Sequence, residues 1–270
     1  MPRPSCRHCE TIRRCLELTE DDEALEHVCH DVDVDLIELV PSYVDTPGPH
    51  YLDEAVAMCR RIARNWTAAQ TFVESEDLPD LPGDFLEYMT EVHRRLFDGT
   101  HLTFGGRFRH PGEHSAPMGP YGRQLPTSPA EHIEARLRRL HRTRIRPAEV
   151  GPPVFGTKEA LAHNCAQVLH DFFAIHPFVD GNGRTGRLLL VAIASKRSPF
   201  RFRALDVRVD GTAKEQGTEY IRALQRVDEE LEQQARGGTG PGDAARAYDP
   251  LAEWLAALLV EATTDDEPPT

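Results

Sequence analysis

One short stretch concentrates the groups that phosphate chemistry needs: His176-Pro177-Phe178-Val179-Asp180-Gly181-Asn182-Gly183-Arg184-Thr185-Gly186-Arg187. Gly181 and Gly183, on either side of Asn182, let the backbone turn so that successive N–H groups point into one concavity, and a helix starting just after adds its positive end. An anion belongs there. Arg184 and Arg187 lie on neighbouring positions of that helix's first turns, where their guanidinium forks could hold a polyphosphate chain. Asp180 supplies a hard oxygen ligand where Mg²⁺ would bridge phosphates. His176 has the only nearby side chain whose ordinary pKa suits proton abstraction near neutrality. Phe178 is expected in the core, as the anchor of the loop. Singly, a histidine before proline, a Gly-Asn-Gly turn and an arginine pair on a helix are ordinary features. Their order within one segment is what points to chemistry.

The elements around this segment read as helices. Periodicity of three and four residues dominates the chain, with little two-residue alternation, so the fold class is mainly α. Apolar residues from Leu52 to Val73 recur as one helical face, and Phe85, Met89, Val92 and Leu96 mark a second helix beyond a Pro/Gly/Asp break. Residues 99 to 127 contain six Gly and four Pro, too many for a helix, so this is a long loop or hairpin, and a loop this long inside a compact domain is usually functional or disordered. Ser128, Pro129 and Glu131 have the spacing of a capping box for a helix that buries Ile133, Leu137 and Leu140. One helix is expected from near Thr157 to Ile175, another from about Arg184 to Ser195, and a later one carries Tyr220, Leu224, Val227 and Leu231. Asp249 is expected to cap a last helix with Pro250 behind it. His163 and His170 sit two turns apart, a spacing that suits packing better than a shared metal ion.

With these residues in view, the segment resembles the signature of the Fic (Fic/Doc) family, H-x-F-x-[D/E]-G-N-G-R-x-x-R, at every specified position. The likeness covers roughly residues 85 to 200. It implies a Fic-like helical domain with a short β-hairpin flap, the flap falling in the Gly/Pro-rich loop. It also implies transfer of AMP from ATP to a Ser, Thr or Tyr hydroxyl of a target protein, with release of pyrophosphate. On that resemblance His176 takes the hydroxyl proton and Asp180 holds Mg²⁺. Gly181, Asn182 and Gly183 form the anion hole, Arg184 meets the β-phosphate and Arg187 the γ-phosphate. Members that silence themselves carry [S/T]-x-x-x-E-[G/N]. Gln70-Thr71-Phe72-Val73-Glu74-Ser75 departs from it at both ends, which makes Glu74 a degenerate inhibitory candidate. The partial matches at Thr19 to Glu23 and Thr263 to Glu267 are weaker. The same scaffold could instead use another phosphate-containing donor such as UTP, GTP or a CDP-alcohol. It could also act as a toxin-like or nucleotide-binding module held inactive by a separate inhibitor protein.

Composition narrows the setting. At 270 residues and 40% hydrophobic content, the chain can bury a core of its own. Its net charge of −13 disfavours nucleic acid as a partner. No apolar run approaches the length of a membrane span, and the first residues lack the apolar core of a secretory signal, so the expected compartment is the cytoplasm. Six cysteines without a disulfide framework suit reduced thiols, and Cys6-x-x-Cys9 reads as part of an exposed tail rather than a zinc site. The expected organisation is an N-terminal extension over 1–50, a catalytic domain with its preceding helix over 51–235, and a linker, C-terminal helix and tail over 236–270.

Overall fold

A computed structural model describes residues 51–100, 102–113, 127–146, 154–203, 213–237 and 245–262. The Cys6/Cys9 segment, the acidic stretch after it, residues 114–126 of the long loop and the C-terminal tail lie outside the described residues.

Helix α1 (Tyr51–Ser75) buries Ile62, Trp66, Ala69 and Val73, spaced three or four apart as one helical face requires. Helix α2 (Pro82–Leu96) starts with Pro82 in its first turn, where a missing N–H costs no hydrogen bond, and buries Phe85, Met89, Val92 and Leu96. Helix α3 (Ile133–Leu140) follows a 3₁₀ turn (Ala130–His132) and runs into a π-helical turn (His141–Ile145). Helix α4 (Lys158–Ile175) is capped by Thr157, whose side chain accepts from Ala160 N at 3.2 Å. Helix α5 (Asn182–Arg197) is buried on every side from Arg184 to Ala194, as befits the central helix of the fold.

Around α5 lie α1, α2 and α4. Beyond it come strand β1 (Phe200–Phe202), helix α6 (Ala213–Gly237), helix α7 (Asp249–Leu258) and strand β2 (Leu259–Glu261). Helix α7 packs against α4 and α6 through fully buried Leu251 and Leu255. The strands pair antiparallel with Phe202 opposite Leu259, so the C-terminal segment closes on the chain just after α5.

Three local expectations need correcting or narrowing. Ser128 caps nothing: Pro129 holds the N-cap position of the 3₁₀ turn without a side-chain bond. The Ser128 hydroxyl instead donates to Ala174 O at 3.3 Å and accepts from Arg136 Nη1 at 2.8 Å, tertiary partners that displace the local cap. Asp249 is the first residue of α7 rather than its cap, which is Tyr248; its carboxylate lies 3.7 Å from His163 Nε2. The described part of the long loop, up to residue 113, is built of turns, with no strand among its described residues. His163 and His170 serve packing as expected, bonding Ala245 O and Asp228 Oδ1, both at 2.9 Å.

Candidate functional site

Helix α4 ends where the chain must turn sharply towards α5. His176 makes that turn in the left-handed region, at φ 50° and ψ 62°, with its N–H donating to Phe172 O at 2.9 Å. Its ring is buried. Burial, assisted by the nearby Arg109 charge, pushes its pKa down to about 4, so the imidazole is neutral near pH 7 and able to accept a proton.

The loop that follows is held by its own side chains. Asn182 Oδ1 accepts from Phe178 N and Asn182 Nδ2 donates to Phe178 O, both at 2.9 Å, closing the turn from both sides. Gly181 adopts φ 76°, and a Cβ there would stand 2.7 Å from Phe97 Cε2, so both backbone and space demand glycine. Thr185 N donates to Gly181 O at 2.9 Å, which leaves the N–H groups of residues 182 to 184 at the open end of the α5 ladder. Those groups and the positive helix end lie where the sequence reading expects an anion to sit.

The charged residues converge on that end. Arg184 Nη2 donates to Asp180 Oδ2 at 3.1 Å, and its guanidinium lies 5.6 Å from the centre of the Phe97 ring. Arg187 sits one turn on, 5.8 Å from the Trp66 ring, and close enough to Tyr220 for its charge to oppose the rise that burial imposes on that phenol. The structure therefore brings His176, Asp180, Gly181, Asn182, Gly183, Arg184 and Arg187 to one place. Glu74 is different. It is exposed and accepts from Gln70 Nε2 at 3.0 Å, while Gln70 Oε1 accepts from Trp66 Nε1 at 3.0 Å. The α1 side chain laid over Arg187 is the Trp66 ring.

Among the described residues, no three His, Cys, Asp or Glu side chains cluster as a metal cage. A single carboxylate, Asp180, beside an anion seat still fits Mg²⁺, which keeps several waters and is held largely by substrate phosphates.

Two residues that sequence reasoning passed over fix this geometry. His93 of α2 is fully buried and stacks parallel on Phe178, with centroids 3.9 Å apart. Gly106 N donates to its Nδ1 at 2.9 Å, so the proton resides on Nε2, which donates to Asp180 O at 2.9 Å. Burial depresses its pKa to about 3. His93 thus ties the base of the long loop to the backbone of the carboxylate at the site. Arg109, in that same loop, donates through Nε to His176 O at 2.8 Å and through Nη2 to Ser128 O, and its N–H donates to Pro177 O at 2.9 Å. The signal for His93 was its place on the apolar face of α2; Arg109, in a Gly/Pro-rich loop, offered none. Nearby, Arg107 and Glu113 form a two-pronged pair at 2.6 and 2.8 Å that holds the Glu113 carboxyl down at about 2.

Comparison with known proteins bears on the fold and the family. Residues 84–194 match the Fic/DOC family model. A Fido domain-containing protein of Dictyostelium discoideum is 37% identical over 73 residues, 27% of this chain and 45% of that relative, so the match spans less than half of the relative's length. The BepC protein of Bartonella tribocorum, a VirB-translocated effector solved with bound AMPPNP, superposes with a TM-score of 0.53 at 16% identity, covering 83% of this chain and 99% of that one. The N-terminal Fic domain of a VirB-translocated Bep effector from Bartonella quintana, solved with bound ADP, gives a TM-score of 0.53 at 17% identity over 83% of this chain and 96% of that one. At such identities the structures speak for the fold, while the family match and the intact signature speak for kinship. The stretch 84–194 of this chain, with the loop of residues 176–187 inside it, is a Fic/DOC-family domain.

Proposed function

We propose that this protein transfers AMP from ATP to a Ser, Thr or Tyr hydroxyl of a target protein. The observation that carries the reading is the loop after α4, where a neutral buried histidine, an open helix N-terminus and two arginines meet. AMPPNP and ADP in the Bartonella neighbours support a nucleotide as the donor. In this reading His176 accepts the proton of the incoming hydroxyl, whose oxygen bonds to the α-phosphorus as the bond to the pyrophosphate oxygen breaks. The N–H groups at residues 182 to 184 take up charge on the phosphate oxygens, Arg184 meets the β-phosphate and Arg187 the γ-phosphate. Asp180 would hold Mg²⁺ together with the phosphates, and the ion when bound would offset their charge. Positioning and charge stabilisation do most of the work in such transfers.

Glu74 fits this scheme as a restraint acting on the Arg187 end through α1, since Gln70 and Trp66 link it to that guanidinium. Incubation with Mg²⁺ and α-³²P-ATP, alone and with cell lysate, tests the whole reading beside a γ-labelled control, His176→Ala and Glu74→Gly. Label from the α position only, abolished by His176→Ala and raised by Glu74→Gly, is the expected result. Label from the γ position, or α label that survives His176→Ala, would sink it.

A further inference from the structure

A cavity of roughly 570 Å³ opens between α3, the π-helical turn and the end of α4, with Arg136, Arg139 and Arg144 on its walls and Ala174 and Ile175 beside them. The cations are not equivalent. Arg144 is engaged by Asp171 Oδ2 at 3.3 Å and Gln167 Oε1 at 2.6 Å. Arg136 and Arg139 are exposed and have no carboxylate partner among the described residues; the partner of Arg136 is the neutral Ser128 hydroxyl. From Glu134 to Arg146 the chain carries Arg at 136, 138, 139, 142, 144 and 146 within a molecule of net charge −13; Arg138 and Arg146 pair with Glu134 and Asp80, which leaves Arg136 and Arg139 as the cavity's available cations. A concave cationic island on an anionic surface focuses its field on a short anionic ligand, whereas a long polyanion would meet the repulsion of the whole molecule. Guanidinium forks match carboxylates in geometry, and Leu140, Ala174 and Ile175 add an apolar wall that suits a peptide.

The position is as telling as the charge. Ala174 and Ile175 lead directly into His176, and Arg136 bonds the residue whose carbonyl, like that of His176, accepts from Arg109. We propose that this cavity seats an acidic segment flanking the hydroxyl residue of the protein substrate, so that the enzyme selects hydroxyls neighboured by Asp or Glu. The proposal rests on the transfer reading above and names its substrate class.

The test uses the full chain and a fluorescein-labelled peptide with one Ser among alternating Glu and Ala, beside the same peptide with Gln for Glu, read by fluorescence anisotropy. Wild type should bind the Glu peptide, with affinity lowered about tenfold or more in Arg136→Gln/Arg139→Gln and for the Gln peptide. A charge-matched variant on exposed α6 positions, Arg222→Gln/Arg226→Gln, should stay within about twofold of wild type. Arg139→Gln alone removes no side-chain bond among the described residues, so its loss of affinity reports the ligand even if the double variant unfolds. Equal weakening in the two double variants, or equal binding of the two peptides, overturns the proposal. Mg²⁺–ATP titration of the same proteins separates the claims. ATP binding without Glu-peptide binding removes the acidic-segment site, and peptide binding without ATP binding removes the transfer reading.

Discussion

His93 and His176 sit buried within one hydrogen-bonded group of residues, with pKa values held near 3 and near 4. Both are neutral in the folded protein at pH 5, while the unfolded chain takes up their protons below about 6.5. Each therefore contributes stability that is complete above pH 6.5 and is lost as pH falls towards its folded value, at about 1.4 kcal/mol per pH unit. His93→Gln removes one of these groups while keeping a donor and an acceptor. In urea denaturation the variant should lose about 2 kcal/mol less than wild type between pH 7 and pH 5. Parallel curves would mean that His93 is hydrated in solution and that its bonds to Gly106 and Asp180 do not persist. At this scale a histidine's usefulness comes from its surroundings: the same burial that makes protonation costly leaves the His176 imidazole neutral and able to accept a proton.

Helices α4 and α5 cross where Gly186 lets them approach. A Cβ at that position would lie 3.0 Å from Leu169 Cδ1, 3.1 Å from Phe172 Cδ1 and 3.3 Å from Phe173 Cε1. All three neighbours are side chains of a packed helix face, so they cannot move without opening the core. Gly186→Val should cost about 1–3 kcal/mol through overpacking, seen as a lower urea midpoint with an unchanged slope. On the proposed transfer reading it should also weaken ATP binding, because Arg184 and Arg187 ride on the helix that is pushed away. An unchanged midpoint would show that α4 and α5 are less closely packed than their geometry requires. The loop between them is a product of this crossing. Asn182 closes it, Gly181 supplies its left-handed turn, and the Phe178 ring pins it beneath His93.

Across the whole molecule, the C-terminal segment belongs to the same packed body as the site. Helix α7 lies on α4 and α6, Leu251 and Leu255 are fully buried, and β2 closes on β1 just beyond α5. Leu255→Ala should therefore destabilise the entire protein by about 2–5 kcal/mol, in a single unfolding transition followed by both fluorescence and circular dichroism. Two separate transitions, with the larger one unmoved, would instead make residues beyond 236 an appended unit. Among the described residues no helix is long and apolar enough to cross a membrane. Its net charge of −13 is unevenly distributed along the chain, and the arginine-rich run from 136 to 146 stands out against it.

Much of this protein was legible in its sequence. The order of residues from His176 to Arg187 marked the candidate site, because its parts are neighbours in the chain: a turn, a helix start and side chains one turn apart. Helical periodicity located α1, α2 and α4 for the same reason, since the burial of one face repeats at short range, whereas α5, buried on every side, was marked by the glycines before it. What lay beyond reach were partners brought together by the fold. His93 meets Asp180 across 87 positions and Arg109 meets His176 across 67, and no spacing rule encodes either contact. Ser128 shows the converse, a residue whose local pattern promised a cap and whose hydroxyl found better partners on α3 and α4. The sequence by itself determined the chemistry a turn and a helix end can hold. Only the tertiary structure decided which groups are dehydrated, which carry a proton and which are held in place, because those depend on what the fold packs around them.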